Sequence, residues 1–555
     1  QTIRTHQALP IEWATTQMNI GSLYSERIHG DRTQNLELAI NTLQQALQVL
    51  GKVATSLQWA TAQLNLGNAY SDRIEGDIAE NLEQAIAAYQ QALQVYTPED
   101  FPFNWAATQM NLGAAYRERI RGTRTDNLQK ALIADQRALT IITRENAPIK
   151  WATLQNGLGN TYSEQEENRA ENIEQAICAY QTALQIFTPT EFSIRWAKIQ
   201  NNLSTVYAER IRGDRAENLE QALEAAQQAL KVFTLEDFSV EWSQAQNNLG
   251  NAYSDRLLGD RVENLECAIT AYLQTLTVRN RQTFPTQWAS TQNNLATAYC
   301  DRIKGDKGEN LKNAIAACQK ALQVYTCEIF PVNWAMVQNN LGNAYSNLAQ
   351  PDDLPHSKTE QVANLENAIN AFHKALQVYT CDTFPVDWAM TQNNLGNVYR
   401  LRMESTQPSD PTRAIEAYQQ ALQIYTPDLL PNDCRRTARS LGDLLSNAHR
   451  WPEAVAAYEQ SLQATELLYQ ASLFRSSQEV ELSETDNLFR QAAFALAKTS
   501  DFQAVAVTLE RGRARGLSET LERDRADLTQ LAEQSPERYQ QYQAAVEALR
   551  ELEVA

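Results

Sequence analysis

Residues 242–256 read WSQAQNNLGNAYSDR, residues 288–302 read WASTQNNLATAYCDR, and residues 334–348 read WAMVQNNLGNAYSNL. The tryptophan that opens the phrase stands at Trp13, Trp59, Trp105, Trp151, Trp196, Trp242, Trp288 and Trp334, at intervals of 46 residues with a single 45. Trp388 follows after 54, because AQPDDLPHSKTEQV lengthens one connection, and Cys434 stands 46 further on, where the next tryptophan is due. Length alone suggests roughly three to five globular domains. A fixed period predicts one repeat array instead.

Each copy divides into two helical patterns. In the copy from Trp242, residues Trp242, Gln246, Leu249 and Tyr253 fall on one stripe at helical spacing. Gly259 and Asp260 break that pattern. The second helix is expected to begin at Asn264, with Leu265, Ala268, Ile269, Tyr272 and Leu276 on one face. An asparagine there is a good N-cap, and Asn35, Asn81, Asn127, Asn172, Asn218, Asn310 and Asn364 hold the equivalent place. Gln84, three residues after Asn81, suggests a capping box. One such hairpin cannot bury its own stripe. Side-by-side stacking gives a continuous core.

These residues resemble the tetratricopeptide repeat. NLGNAY followed by AI, AY and AL at helical spacing is that family's text, carried here by Leu249, Gly250, Tyr253, Ala268 and Tyr272. The common period is about 34 residues, so this chain has longer helices or links. The resemblance implies an all-α fold, a right-handed α-solenoid superhelix of tandem helical hairpins. It divides the chain into a ten-repeat array over 1–466, a degenerate final repeat over 467–517 and charged capping or linker helices over 518–555.

In tetratricopeptide arrays the first helices line a concave groove. The resemblance therefore turns the side opposite the Trp–Leu–Tyr stripe into it. Asn65, Asn111, Asn202, Asn248, Asn294, Asn340 and Asn394 stand just before the apolar residue of the repeated NL. Asn68, Asn160, Asn251, Asn343 and Asn397 form a second row, and Asn247 and Asp255 share the same side. The fourth copy has Gly157 in the first row. A carboxamide both donates and accepts, so such rows can pair with the backbone of an extended peptide. The alternative is that they solvate the helix or bond to the neighbouring repeat.

Gln17, Gln63, Gln109, Gln155, Gln200, Gln246, Gln292, Gln338 and Gln392 point toward the buried stripe and are expected to bond across the repeat interface. Arg27, Arg73, Arg119, Arg210, Arg256, Arg302 and Arg402 flank it, and each is expected to pair near the turn. The tryptophans are read as core. Gly250 and its equivalents lie at the stripe's edge and give way only to Ser204 and Ala296, which suggests close approach of the second helix.

Lys and Arg total 48 against 67 Asp and Glu, 48 − 67 = −19. Phosphate binding needs clustered cations, so neither a nucleic-acid nor an anionic-membrane partner is expected. No GxGxxG or GxxxxGK[ST] occurs. Seven cysteines without a CxxC pair and five scattered histidines suggest buried thiols in a reducing, cytoplasmic setting, with no metal site, cofactor or catalytic residue. The chain starts at Gln1 and stops inside a charged helical pattern, so both ends read as cuts through a longer polypeptide.

The closing text LERGRARGLSETL (509–521) after such repeats resembles the N-terminal arm of bacterial, often cyanobacterial, CHAT-domain proteins, which carry a caspase-like domain after their repeats. The resemblance implies a C-terminal effector domain beyond this chain. It transfers no catalytic residue. Three functions follow: a module binding a protein or peptide ligand in the groove, the regulatory arm of a caspase-like protease, or a self-association scaffold.

Overall fold

The computed structural model describes residues 9–51, 57–350, 357–405, 411–471, 475–512 and 540. The expected capping segment 518–555, residue 540 apart, and positions 351–356 of the long connection lie outside them. The chain forms two compact units, Gln1–Arg279 and Asn280–Ala555.

In the first unit, six hairpins pair α1 (Pro10–Glu26) with α2 (Arg32–Leu50), α3 (Leu57–Ser71) with α4 (Ile78–Ala92), and α5 (Pro102–Glu118) with α6 (Arg124–Leu139). They continue with α7 (Pro148–Ser163) and α8 (Arg169–Ala183), α9 (Ser193–Ala208) and α10 (Arg215–Leu230), then α11 (Ser239–Asp255) and α12 (Arg261–Val278). In the second unit, α13 (Pro285–Asp301) pairs with α14 (Lys307–Ala321), and α15 (Pro331–Leu348) with α16 (Lys358–Ala375). Next come α17 (Pro385–Ser405) with α18 (Thr412–Ala421) and α19 (Pro431–Asn447) with α20 (Trp451–Ala471), before α21 (Arg475–Lys498). Among the described residues there is no strand. Each helix packs on its sequence neighbour within its unit, which makes the fold an all-α solenoid of tetratricopeptide-like hairpins.

The largest fully buried side chains include aromatic rings of the second helices and links, such as Tyr89, Tyr96, Tyr180, Phe187, Phe233 and Tyr272. The tryptophans pack on this core from its margin. Trp59 is buried, and the other repeat tryptophans are half-buried. The links account for part of the long period. Tyr96 meets Phe101 edge-on at 5.9 Å, and Phe187–Phe192, Phe233–Phe238, Tyr325–Phe330 and Tyr379–Phe384 repeat the contact. Such pairs stabilise beyond their buried area, and each braces one hairpin against the next.

The glycine of the first helix is where the two helices of a hairpin touch. A methyl group at Gly67 would lie 2.5 Å from Cε1 of Tyr89, and one at Gly250 would lie 2.6 Å from Cε1 of Tyr272. The two copies without glycine also lack the ring: Ser204 lies in the hairpin with Ala226, and Ala296 in the hairpin with Cys318.

The expected asparagine N-caps are corrected by the structure. Second helices begin earlier, and the caps are Asp31, Asp77, Thr123, Asp214, Asp260 and Asp306, each accepting from the backbone amide three residues on. Gln84 donates to Glu80 and builds no capping box with Asn81, whereas Ser357 and Glu360 do form one. The text GDxxENL offers two capping residues. The earlier one wins, because it leaves the later asparagine free to be buried in the turn. Asn127 donates to the carbonyls of Arg119 (3.1 Å) and Arg121 (3.0 Å) and accepts from Arg119 Nη1. Gly122 at φ 85 permits this turn.

The same arginine reaches back to the previous hairpin. Arg119 Nε and Nη2 donate to the two Glu83 oxygens at 2.7 and 2.9 Å, and the fork recurs at Arg73–Glu37, Arg210–Glu174 and Arg256–Glu220. The Arg119 guanidinium holds the Glu83 carboxyl below the usual carboxylate range. These pairs are part-exposed, so Glu83→Gln is expected to cost under about 1 kcal/mol. Asn127→Ala strands two turn carbonyls and is expected to cost about 1–3 kcal/mol. Urea unfolding of the two variants checks this order.

The glutamine row departs from expectation. Gln109, Gln292, Gln338 and Gln392 are buried, yet Oε1 of Gln246, Gln292 and Gln338 meets no donor among the described residues. They do not supply the expected cross-repeat bond through that atom. Another residue does: Gln44 donates to the Tyr70 hydroxyl at 2.8 Å, and Gln90–Tyr116 and Gln181–Tyr207 repeat the bond. The cysteines are also less uniform than expected. Cys318 and Cys434 are buried, while Cys178 and Cys267 are exposed free thiols.

Candidate functional site

First helices of successive hairpins touch one another as well as their partners: α1 on α3, α3 on α5, α5 on α7, α7 on α9 and α9 on α11, and in the second unit α13 on α15. Among the described residues no comparable contact joins successive second helices. Each stack is therefore tighter on the first-helix side, and the asparagine rows lie there.

The rows are cross-linked. Asn111 Nδ2 donates to Asn68 Oδ1 at 2.8 Å, and Asn202 Nδ2 donates to Asn160 Oδ1 at 3.0 Å. Those same oxygens accept from Tyr89 and Tyr180 hydroxyls at 2.9 and 2.8 Å. Asn248 Nδ2 instead donates to Asn201 Oδ1 (3.0 Å) and Thr205 Oγ1 (3.2 Å). In the second unit, Asn340 donates to Asn293 Oδ1 at 2.9 Å and Asn394 to Asn339 Oδ1 at 3.5 Å.

The second row has a structural partner that the sequence reading missed. Tyr272 donates to Asn251 at 2.9 Å and Tyr418 to Asn397 at 2.8 Å, as Tyr89 and Tyr180 do to Asn68 and Asn160. In the hairpin of Asn343 the ring against Gly342 is Phe372, which brings no hydroxyl. The signal was available: a row-two asparagine occurs only where the second helix carries an aromatic 20–29 residues later. Where that residue is Leu43, Asp135, Ala226 or Cys318, the row-two position holds Ser22, Ala114, Thr205 or Thr297. Through the eighth copy the two kinds of hairpin alternate in the sequence.

The remaining predicted residues are dispersed. Asn247 is 8 % exposed and thus lies inside the stack, a correction to its expected place on the open side. Asn294 is half-buried in the second unit. Asp255 is exposed, 3.7 Å from Arg215 of the preceding hairpin.

Asn65, Asn68 and Asn111 come together in a cavity of about 370 Å³ on the first-helix side of the first three hairpins. Ser22, Ser25, Glu26, Ser71, Asp72, Tyr89 and Ala114 complete its wall. No Lys or Arg lines it. Asp72 is held from outside by Arg32 at 2.9 Å.

The equivalent place two hairpins on is built from Ala114, Arg117, Gly157, Asn160, Tyr180 and Asn202. There the Arg117 guanidinium lies over Gly157, at 3.0–3.3 Å from where a Cβ would be, which explains the missing asparagine of the fourth copy. Arg117 pairs with the fully buried Asp135 and reaches Thr161 Oγ1 at 3.5 Å. Burial raises the Asp135 carboxyl to about 6, against the pull of Arg117.

A tetratricopeptide-repeat family model matches residues 59–102 and 196–235. No curated protein matches the sequence. Solved structures of similar fold include a signal-transduction ATPase with a tetratricopeptide-repeat sensor from Pyrococcus horikoshii, 12% identical over 87% of this chain and 68% of that one, at TM-score 0.47. The human IFIT1 dimer with m7Gppp-AAAA is 14% identical over 91% and 99%, at TM-score 0.41. Apo RapI is 16% identical over 58% and 99%, at TM-score 0.36. Among the described residues no helix is long and apolar enough to cross a membrane, and no cluster of metal-ligand residues occurs.

Proposed function

We propose that this chain is a protein-interaction module whose first-helix face binds an extended peptide segment of a partner protein. The orientation of the cross-linked amides carries the reading. Asn68 and Asn160 accept through Oδ1 from two donors each, which leaves their Nδ2 hydrogens available to donate. Asn111 and Asn202 donate through Nδ2 and keep Oδ1 as an acceptor. An extended backbone alternates donors and acceptors in the same way. The internal bonds thus preorganise the row, which lowers the cost of ordering it on binding.

Asn111→Ala with Asn202→Ala is expected to weaken a bound peptide by about ten-fold or more, at about 1.4 kcal/mol per decade. Fluorescence anisotropy of a labelled peptide selected on the intact chain checks this. Unchanged affinity in the folded variant refutes the reading. The role as arm of a CHAT-type protease rests on the text at 509–521 and is compatible with peptide capture. It requires a coding sequence that continues beyond Ala555 into a domain with a His–Cys pair.

A further inference from the structure

We infer that the cavity between the first three hairpins is a subsite for a cationic side chain, the lysine or arginine of a peptide held on the first-helix face. This rests on the peptide-binding reading above and adds what the pocket selects.

The chain itself supplies the comparison. The pocket of Ser25, Asn65, Asn68, Tyr89 and Asn111 recurs two hairpins later as Arg117, Gly157, Asn160, Tyr180 and Asn202. In that second copy the space above the first-row position is taken by a guanidinium, because Arg117 stands where Ser25 stands and Gly157 where Asn65 stands. The frame of tyrosine and two asparagines is the same in both, with Asn68 or Asn160 at its centre. One copy is thus filled from within by an arginine head group, and the other is open.

The chemistry of the open copy suits the same group. A guanidinium or ammonium brings donors and no acceptor. The wall offers Asn65, whose side chain makes no hydrogen bond among the described residues, together with the free Asn111 Oδ1, the Ser22 hydroxyl and the carboxylates of Glu26 and Asp72. Asp135 balances the charge in the filled copy, and the open copy has Leu43 at that position. Its counter-charge comes from Glu26, Asp72 being already paired with Arg32 at 2.9 Å. An anionic side chain would meet two carboxylates and no lining cation, an arrangement that costs affinity.

The test is selection from a displayed library of random peptides on the immobilised 555-residue chain, followed by titration of the selected peptides. The expected result is a fixed Lys or Arg in the selected sequences. Citrulline for that Arg, or acetyl-lysine for that Lys, is expected to lower affinity about ten-fold. Glu26→Gln with Asn65→Ala, checked for an unchanged circular dichroism melt, is expected to do the same and to abolish the preference for the charged peptide. Peptides that bind with no fixed basic residue, or whose basic residue retains its effect in the double variant, overturn the inference and leave the peptide-binding reading standing. A library that yields no binder on the intact chain overturns both.

Discussion

Tyr272→Ala is expected to lower stability by about 3–5 kcal/mol, because it empties a fully buried position at the hairpin's centre. Gly250→Ser alone is expected to cost about 1–3 kcal/mol, since its Cβ would sit 2.6 Å from the Tyr272 ring. The double variant reproduces the Ser204 and Ala226 pairing of the fifth hairpin. It is therefore expected to lose less than the sum of the two single changes. A repeat array need not unfold in one step. The measurement is thus hydrogen exchange in α11 and α12 alongside urea unfolding. Strict additivity would refute the claim that ring and glycine form one packing unit.

Arg117→Ala is expected to cost about 3–5 kcal/mol at neutral pH, because it leaves a buried carboxylate without its cation. The pH dependence has a definite sign. Burial raises the Asp135 carboxyl in the folded protein to about 6, whereas an unfolded aspartate titrates near 3.9. The folded state binds the proton more tightly. Its contribution is fully present below about pH 3.9 and is lost as pH rises through about 6, some 3 kcal/mol in all. Other carboxyls, such as Glu83 and Glu174, are shifted the opposite way by their arginines. The comparison is therefore wild type against Asp135→Asn, measured by urea unfolding from pH 4 to 7. The difference between them is expected to move in favour of the variant as pH rises. Arg117→Ala with Asp135→Ala, patterned on Ala208 and Ala226, is expected to recover most of what Arg117→Ala alone loses.

The hairpin stack was legible because each copy restates its stripe. Trp242, Leu249 and Tyr253 give the first helix, Leu265 to Leu276 give the second, and the 46-residue spacing gives the stacking. The small residue at Gly250 was also read correctly as a close-approach point. What it approaches was not read, because Tyr272 lies 22 residues away and only tertiary packing joins them. The helix starts were misplaced for a local reason. Asp260 and Asn264 are both capping residues, and burial of Asn264 in the turn decides between them.

The candidate site was half legible. Projection placed Asn68 and Asn111 on one side of their helices, and the structure brings them into one cavity with Asn65. It also placed Asn247 there, although that residue is buried between hairpins. Helical projection sorts residues around one axis and cannot see the neighbouring first helix, which covers part of the same side. The role of Tyr89 in fixing Asn68, and of Arg117 in replacing an asparagine at Gly157, depends on pairs from different helices.

The most direct test of the central claim is an anisotropy titration of one display-selected peptide against the intact chain and the Asn111→Ala, Asn202→Ala variant. Preorganised amides as the peptide-binding surface predict at least about a ten-fold weaker dissociation constant at unchanged secondary structure. Equal affinity for the two proteins would contradict it.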